Sequence, residues 1–351
     1  MKSPAALESL VTTLSSQTNP ELAMQKAVGG GMRGSTFSVQ LPLRPNEDGD
    51  YTDASFLTAG GVLPYGTAGS PGGYFAVASS RIDTVKTELG DTVADGAVVG
   101  YESEVVGALN ETRWYGTGVL LPDDSVIVFS GGDRDGVSAP GVEFPRKTAE
   151  RFDPRTKTWT QMAEANQPRT YHNTALLMPD GRVLVGGHAP ISTLYINNID
   201  LSMFGVSPND GRDPSFEIFT PPYVFNPNRP VLEAILNPQE TDSETGKPIM
   251  HQFQPGETVR LRMGAEAKKG NIDSVTLVRH TAMTHLIDGD QRSIVIPQED
   301  LSVDGNVVSF DIPEQATVIP EGAYMMFVRT KQADDSLLPS ESLSAMIKHG
   351  S

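Results

Sequence analysis

The chain contains no cysteine. A disulfide, a zinc–thiolate centre and a cysteine nucleophile are therefore excluded. The absence leaves the compartment open, because an exported protein need not carry disulfides. Positive charge is also scarce: 27 Lys and Arg stand against 44 Asp and Glu, a net charge of −17. Phosphate binding needs clustered cations, so a broad nucleic-acid footprint is excluded and no nucleic-acid partner is expected. The acidic surface reads as a solvated one that keeps the protein soluble. No run of about 18 apolar residues occurs, so no membrane span is expected. The opening residues MKSPAALESLVTTLS lack the apolar centre of an export signal.

Glycine and proline, by contrast, are plentiful at 34 and 26 residues. They imply many turns and short strands, which favours an all-β architecture. A length of 351 residues leaves room for two domains of ordinary size. Helical spacing shows mainly in residues 1–28, where Leu7, Leu10, Val11 and Leu14 recur and Pro20-Glu21 opens a second short helix. Residues 1–31, ending in a triple glycine, read as a leader or packing arm.

From Met32 the pattern changes to repeated units of strand, turn, strand and double glycine. The first runs from 35 to 61 and the second is RWYGTGVLLPDDSVIVFSGG (113–132). The third is RTYHNTALLMPDGRVLVGG (169–187). The second and third align, Arg113 with Arg169, at a spacing of 56 residues. Each continues into a further strand, AERFDPRTKTWTQM (149–162) and SFEIFTPPYVF (215–225). A period near 50 residues with paired glycines fits a kelch-type propeller blade of four strands. The glycines let neighbouring backbones approach where a side chain would clash. The long polar loop 188–214 reads as a cover for a site or as a disordered segment. After NPNRP (226–230), seven alternating segments follow: 231–236, 256–263, 274–280, 292–297, 306–312, 323–330 and 341–348. They predict an immunoglobulin-like sandwich. The domain reading is thus 1–31, 32–228 and 229–351.

Two stretches carry metal-capable side chains. One is Tyr171-His172 at the entrance to a blade strand. The other is RHTAMTH (279–285), followed by Asp290-Gln291-Arg292. Imidazole suits copper, zinc, iron and nickel, and a phenolate adds a harder oxygen donor. Two histidines and a tyrosine from two domains favour copper over zinc. A hydrolytic metal site using Asp288 and Asp290 is a weaker reading, because no HExxH-like spacing accompanies them.

RTYHNTALLMPDGRVLVGG, SVTLVRHTAMTH with its DQR, and PEGAYMMFV (320–328) together resemble the galactose oxidase and glyoxal oxidase family of mononuclear copper radical oxidases. The bacterial galactose-oxidase-like branch is the nearer match. The resemblance spans residues 32–351. It implies a partial kelch-type β-propeller followed by an early-set sandwich. It also implies oxidation of primary alcohols or aldehydes by O2 to give hydrogen peroxide. Tyr171 matches the axial tyrosine ligand and the base that takes the alcohol proton. His172 matches the first equatorial histidine. His285 matches the second, delivered on a sandwich loop that reaches along the propeller axis. Arg279 and His280 flank the site. Tyr115 falls where the family has no copper ligand and reads as a core or rim aromatic beside Trp114.

The family's radical-storing tyrosine is cross-linked to a cysteine in an earlier blade, and that Tyr–Cys cofactor cannot form here. The three blades match the last three of the family's seven. The expectation is therefore a C-terminal portion with exposed sheet edges, inactive alone, whose missing N-terminal blades would act in trans. The family suggests secretion. A non-catalytic carbohydrate- or protein-binding module is the alternative function.

Overall fold

The computed structural model describes residues 36–62, 76–88, 97–134, 144–188, 203, 212–264, 271–284 and 287–350. The expected helical arm 1–31 and most of the loop 188–214 lie outside them. The fold is all-β. Three antiparallel meanders come first. One holds β1 (Thr36–Gln40), β2 (Asp53–Gly60), β3 (Ser80–Glu88) and β4 (Ala97–Val106) in that order. The next holds β5 (Thr117–Leu120), β6 (Val126–Phe129), β7 (Thr148–Asp153) and β8 (Thr158–Glu164). The last holds β9 (Thr174–Leu177), β10 (Val183–Gly186) and β11 (Phe216–Phe219). In-order meanders of this kind are propeller-like blades, and their first strands β1, β5 and β9 are neighbours along one inner wall. The β3–β4 ribbon was not legible in the sequence, because its side chains are mostly half-buried or exposed and show no core face.

The 56-residue spacing has a packing counterpart. Val119, Leu121, Ile127 and Phe129 share one core with Ala175, Leu177, Val183 and Val185, their equivalents one blade on. A second repeated device is polar. Arg113 is fully buried and donates to the carbonyls of Ser130 and Thr148 and to Glu150, at 2.6, 2.8 and 3.2 Å. Glu150, also fully buried, accepts from the Asn110 and Glu111 backbone N–H groups and the Asn110 side-chain amide. In the next blade Glu217 accepts the same three bonds, from Asn166 and Gln167. It faces the buried Arg169 at 3.5 Å. Each clamp closes the loop that leads into a blade.

The paired glycines join blades. Gly61 N–H donates to the carbonyl of Arg113, and Gly131 N–H to that of Arg169, both at 2.8 Å. Each bond reaches from one blade to the arginine that opens the next. Gly131 has φ +89°, and a β-carbon there would lie 2.3 Å from the Trp114 carbonyl oxygen, so no other residue fits.

The C-terminal part holds β12 (Leu232–Ile235), β13 (His251–Phe253), β14 (Thr258–Met263) and β15 (Ile272–Arg279). Next come the short pair β16 (Met283–Thr284) and β17 (Ile287–Asp288), then β18 (Ser293–Pro297), β19 (Ser302–Asp304) and β20 (Val307–Asp311). β21 (Gly322–Lys331), β22 (Leu337–Pro339) and β23 (Leu343–Ile347) complete it. One sheet runs β12-β14-β20-β19. The other runs β13-β23-β21-β15-β18, with β22 on β21. Alternate side chains of both enclose one core, including Val259, Leu261, Val275, Leu277, Val308 and Phe310. This is the packing of a β-sandwich. All seven strands read from the sequence are present. The five additional ones have two or three residues, too few to show a period.

Blades and sandwich share apolar and polar contacts. Val278, Met325 and Phe327 enter the core that holds the blade residues Val119 and Ala175. Arg329, fully buried on β21, reaches Asp124 in the second blade's turn at 2.5 Å. Arg229 donates to the carbonyls of Asp180, Pro339 and Ser340. The hairpin β16–β17 rises from the sandwich and packs against β9 and β1. Gln291 secures it: its carbonyl oxygen accepts the Gln40 N–H at 2.6 Å, and its amide donates to Ser38 at 3.2 Å. The cavity left between hairpin and inner strands measures only about 30 Å³, room for about one water.

Glu150→Ala leaves the buried Arg113 guanidinium without its carboxylate and the three Asn110 and Glu111 donors without their acceptor. Removing one partner of a buried pair costs about 3–5 kcal/mol, and urea unfolding should show a loss of that order. Glu217→Ala should cost less, because its arginine contact is longer and Glu217 is partly exposed. Burial alone would raise the Glu217 pKa, but the Asn166 and Gln167 donors and Arg169 hold it below the ordinary 4.5. Its contribution is therefore complete above pH 4.5 and is lost as the pH falls through the lowered folded-state value. The wild type should lose stability over that acid window, and Glu217→Gln should lose less. Gln291→Ala strands the buried Gln40 N–H at a cost of about 1–3 kcal/mol. Hydrogen exchange should show the β16–β17 hairpin losing protection before the sandwich sheets do.

Candidate metal centre

Tyr171 and His172 lie just before β9, at the opposite end of that strand from the Pro179 turn, where Ser342 of the sandwich donates to the Pro179 carbonyl. Their rings sit side by side with centroids 4.0 Å apart. Tyr171 is half-buried and His172 is exposed. Trp114 stacks on Tyr171 at 5.7 Å with the planes 7° apart. Tyr115 tilts against the same ring at 4.4 Å. Trp114 and Tyr115 are each 1% exposed. The sequence-level alignment of the two blades therefore becomes spatial contact, with the RWYG loop forming the wall against which the RTYH loop packs.

The backbone here is held in an uncommon conformation. Tyr115 has φ 58° and His172 has φ 51°, values that cost a bulky residue about 1–3 kcal/mol each. Asn173 offsets part of that cost. Its amide donates to the carbonyls of Tyr115 and Thr170 at 3.0 and 3.2 Å. Its carbonyl oxygen accepts from the Thr117 hydroxyl at 2.6 Å. One buried side chain thus ties the two aromatic loops together. From behind, Gly187, at φ +72°, lies against the His172 carbonyl; a β-carbon there would be 2.7 Å from that oxygen.

His188 supports the other side. Its Nδ1 accepts the Thr170 N–H at 3.1 Å, which leaves the neutral ring's proton on Nε2. Burial lowers its pKa, Arg169 lowers it further, and Asp213 acts the other way. No hydrogen bond of good geometry reaches the buried Tyr115 hydroxyl, although the Tyr171 phenol lies close to it. Burial first, then the Tyr171 phenol, raises the Tyr115 pKa well above the ordinary phenol value, so Tyr115 stays protonated.

His285 lies outside the described residues. Its neighbours Thr284 and Ile287 are paired across the hairpin, and the hairpin lies along β9, the strand into which Tyr171 and His172 lead. Arg279 and His280 serve the base of that hairpin. Arg279 pairs with Asp290 at 3.3 Å and donates to the Glu321 carbonyl. His280 meets the Ser344 hydroxyl at 3.1 Å, and burial lowers its pKa. Asp288 accepts the N–H groups of Ala282 and Asp290. These two bonds shape the turn, and burial raises the Asp288 pKa. Among the described residues no three His, Asp or Glu side chains gather at one point. The donors that do meet are phenol and imidazole, a set that suits copper. Asn173, His188 and Gln291 support this site and were not read as doing so from the sequence, because each acts through a neighbour's backbone.

A family model described as "Galactose oxidase-like, Early set domain" matches residues 242–341. Galactose oxidase of Gibberella zeae is 28% identical over 216 residues, which is 62% of this chain and 27% of that protein. Aldehyde oxidase GLOX1 of Arabidopsis thaliana is 24% identical over 324 residues, 90% of this chain and 48% of that protein. The chain therefore spans about half or less of the curated relatives it matches. A fungal alcohol oxidase of the AA5 family, solved in complex with copper, superposes with a TM-score of 0.62 at 20% identity. The superposition covers 91% of this chain and 56% of that one, and it speaks for the fold. The match to the early set domain, the two oxidase relatives and the shared fold agree: a galactose oxidase-like early set domain lies in the C-terminal region, and the chain is similar to galactose oxidase and to a plant aldehyde oxidase over much of its length.

Proposed function

We propose that this chain carries the metal-holding part of a copper oxidase centre acting on primary alcohols or aldehydes with O2 to give hydrogen peroxide. One observation supports this above the others: a phenol and an imidazole from consecutive residues, ring to ring at 4.0 Å. They stand at the inner end of a blade strand along which a sandwich hairpin lies. Tyr171, His172 and His285 would hold the metal. Copper, when bound, supplies a one-electron redox centre.

The chain's own residues do the rest. Tyr171, as phenolate, takes the hydroxyl proton of the alcohol at its oxygen. Trp114, stacked on it, excludes water from one ring face and fixes the ring's orientation. Asn173, His188 and the Gly187 backbone hold the loop in place, so that little reorganisation is left to binding.

A two-electron oxidation needs a second redox equivalent, which the family stores on a tyrosine bound to cysteine. With no cysteine in the chain, that group does not form. This favours a second reading in which the chain is a carbohydrate- or protein-binding module that keeps the site's geometry without turnover.

Copper titration followed by calorimetry separates the two. Under the first reading the chain binds one Cu(II), and His172→Ala weakens binding by at least about 10- to 100-fold, the range known for even indirect partners of a metal. The isolated chain produces little or no peroxide in a coupled assay. No copper binding by the wild type supports the module reading. Robust peroxide production would show that the cysteine-linked group is not needed.

A further inference from the structure

We propose that Tyr115 is a further donor of the Tyr171–His172 centre, its phenol oxygen binding the metal alongside the Tyr171 phenol. This rests on the metal-centre reading above and goes beyond it, since the family resemblance assigns no ligand to this blade.

Three observations converge on Tyr115. No hydrogen bond of good geometry reaches its buried hydroxyl, in a residue only 1% exposed. An enclosed hydroxyl without such a bond is costly, and a phenylalanine would fill the same space without that cost. The ring is not idle packing either, because it tilts directly against Tyr171 at 4.4 Å. The backbone is held at φ 58°, a conformation that large side chains adopt only where the surroundings impose it. The Asn173 amide does so by donating to the Tyr115 carbonyl. Strain and desolvation are thus both spent on one phenol oxygen.

Two phenols and an imidazole make a hard, anionic donor set that suits Cu(II). On binding, the Tyr115 O–H bond breaks. The proton passes to bulk solvent, and the oxygen pair goes to the metal with no change of oxidation state.

The test compares Tyr115→Phe, Tyr171→Phe and wild type, each titrated with Cu(II) and followed by calorimetry, proton release and phenolate-to-copper charge-transfer absorption. If Tyr115 is a donor, Tyr115→Phe weakens copper binding on the order of 10-fold or more. It also removes part of the charge-transfer band and lowers the number of protons released per copper by one. Because the hydroxyl lost makes no hydrogen bond of good geometry, the metal-free Tyr115→Phe chain keeps its thermal stability or gains some, so the copper result reports on binding rather than folding. Unchanged affinity, band and proton count in Tyr115→Phe, alongside losses in Tyr171→Phe, overturn Tyr115 as a donor and leave the centre standing. Absence of copper binding in the wild type overturns both.

Discussion

Two guanidinium groups sealed away from water set the terms for the propeller part. Arg113 and Arg169 are buried almost completely, so each must be met by carbonyls and a carboxylate or the fold pays the cost of an unpaired charge. Each also offers its own backbone carbonyl to a glycine of the preceding blade. One residue type therefore closes its own loop with its side chain and links neighbouring sheets with its main chain. The residues that follow, Trp114-Tyr115 and Thr170-Tyr171-His172, inherit their positions from these anchors. The candidate donors Tyr171 and His172 sit two and three residues beyond the buried Arg169.

The sandwich contributes in a different way. It shares core side chains with the blades through Val278, Met325 and Phe327, and it buries Arg329 against Asp124. These contacts fix where the base of the β16–β17 hairpin stands. Gln291 then sets the height of the hairpin by bonding to β1 on both its oxygen and nitrogen. The placing of the hairpin beside β9, next to Tyr171 and His172, depends on that alignment.

Much of the fold was legible because apolar alternation reports directly on which face is buried. The strands at 117–120, 126–129, 174–177 and 183–186, and the seven main sandwich strands, follow from it. The paired glycines were legible too, since only glycine suits those close approaches. Tyr171 and His172 could be singled out because two donor side chains are adjacent. What stayed hidden acts at long range or through the main chain. Glu150 reads as an ordinary strand residue until Arg113 is seen beside it. Asn173 and His188 show polar side chains whose targets are peptide groups elsewhere. Tyr115 reads as a core aromatic, and it is one by burial; its poorly bonded hydroxyl is visible only in three dimensions.

Gly187 gives the site a rear wall made of backbone. Its α-carbon presses on the peptide that carries His172, and nothing larger than hydrogen fits between them. A chain of this type could keep every donor and still lose the centre through drift at that one position. Deciding which related sequences retain this Tyr–His arrangement therefore calls for inspecting the silent glycine behind the pair as closely as the tyrosine and histidine in front of it.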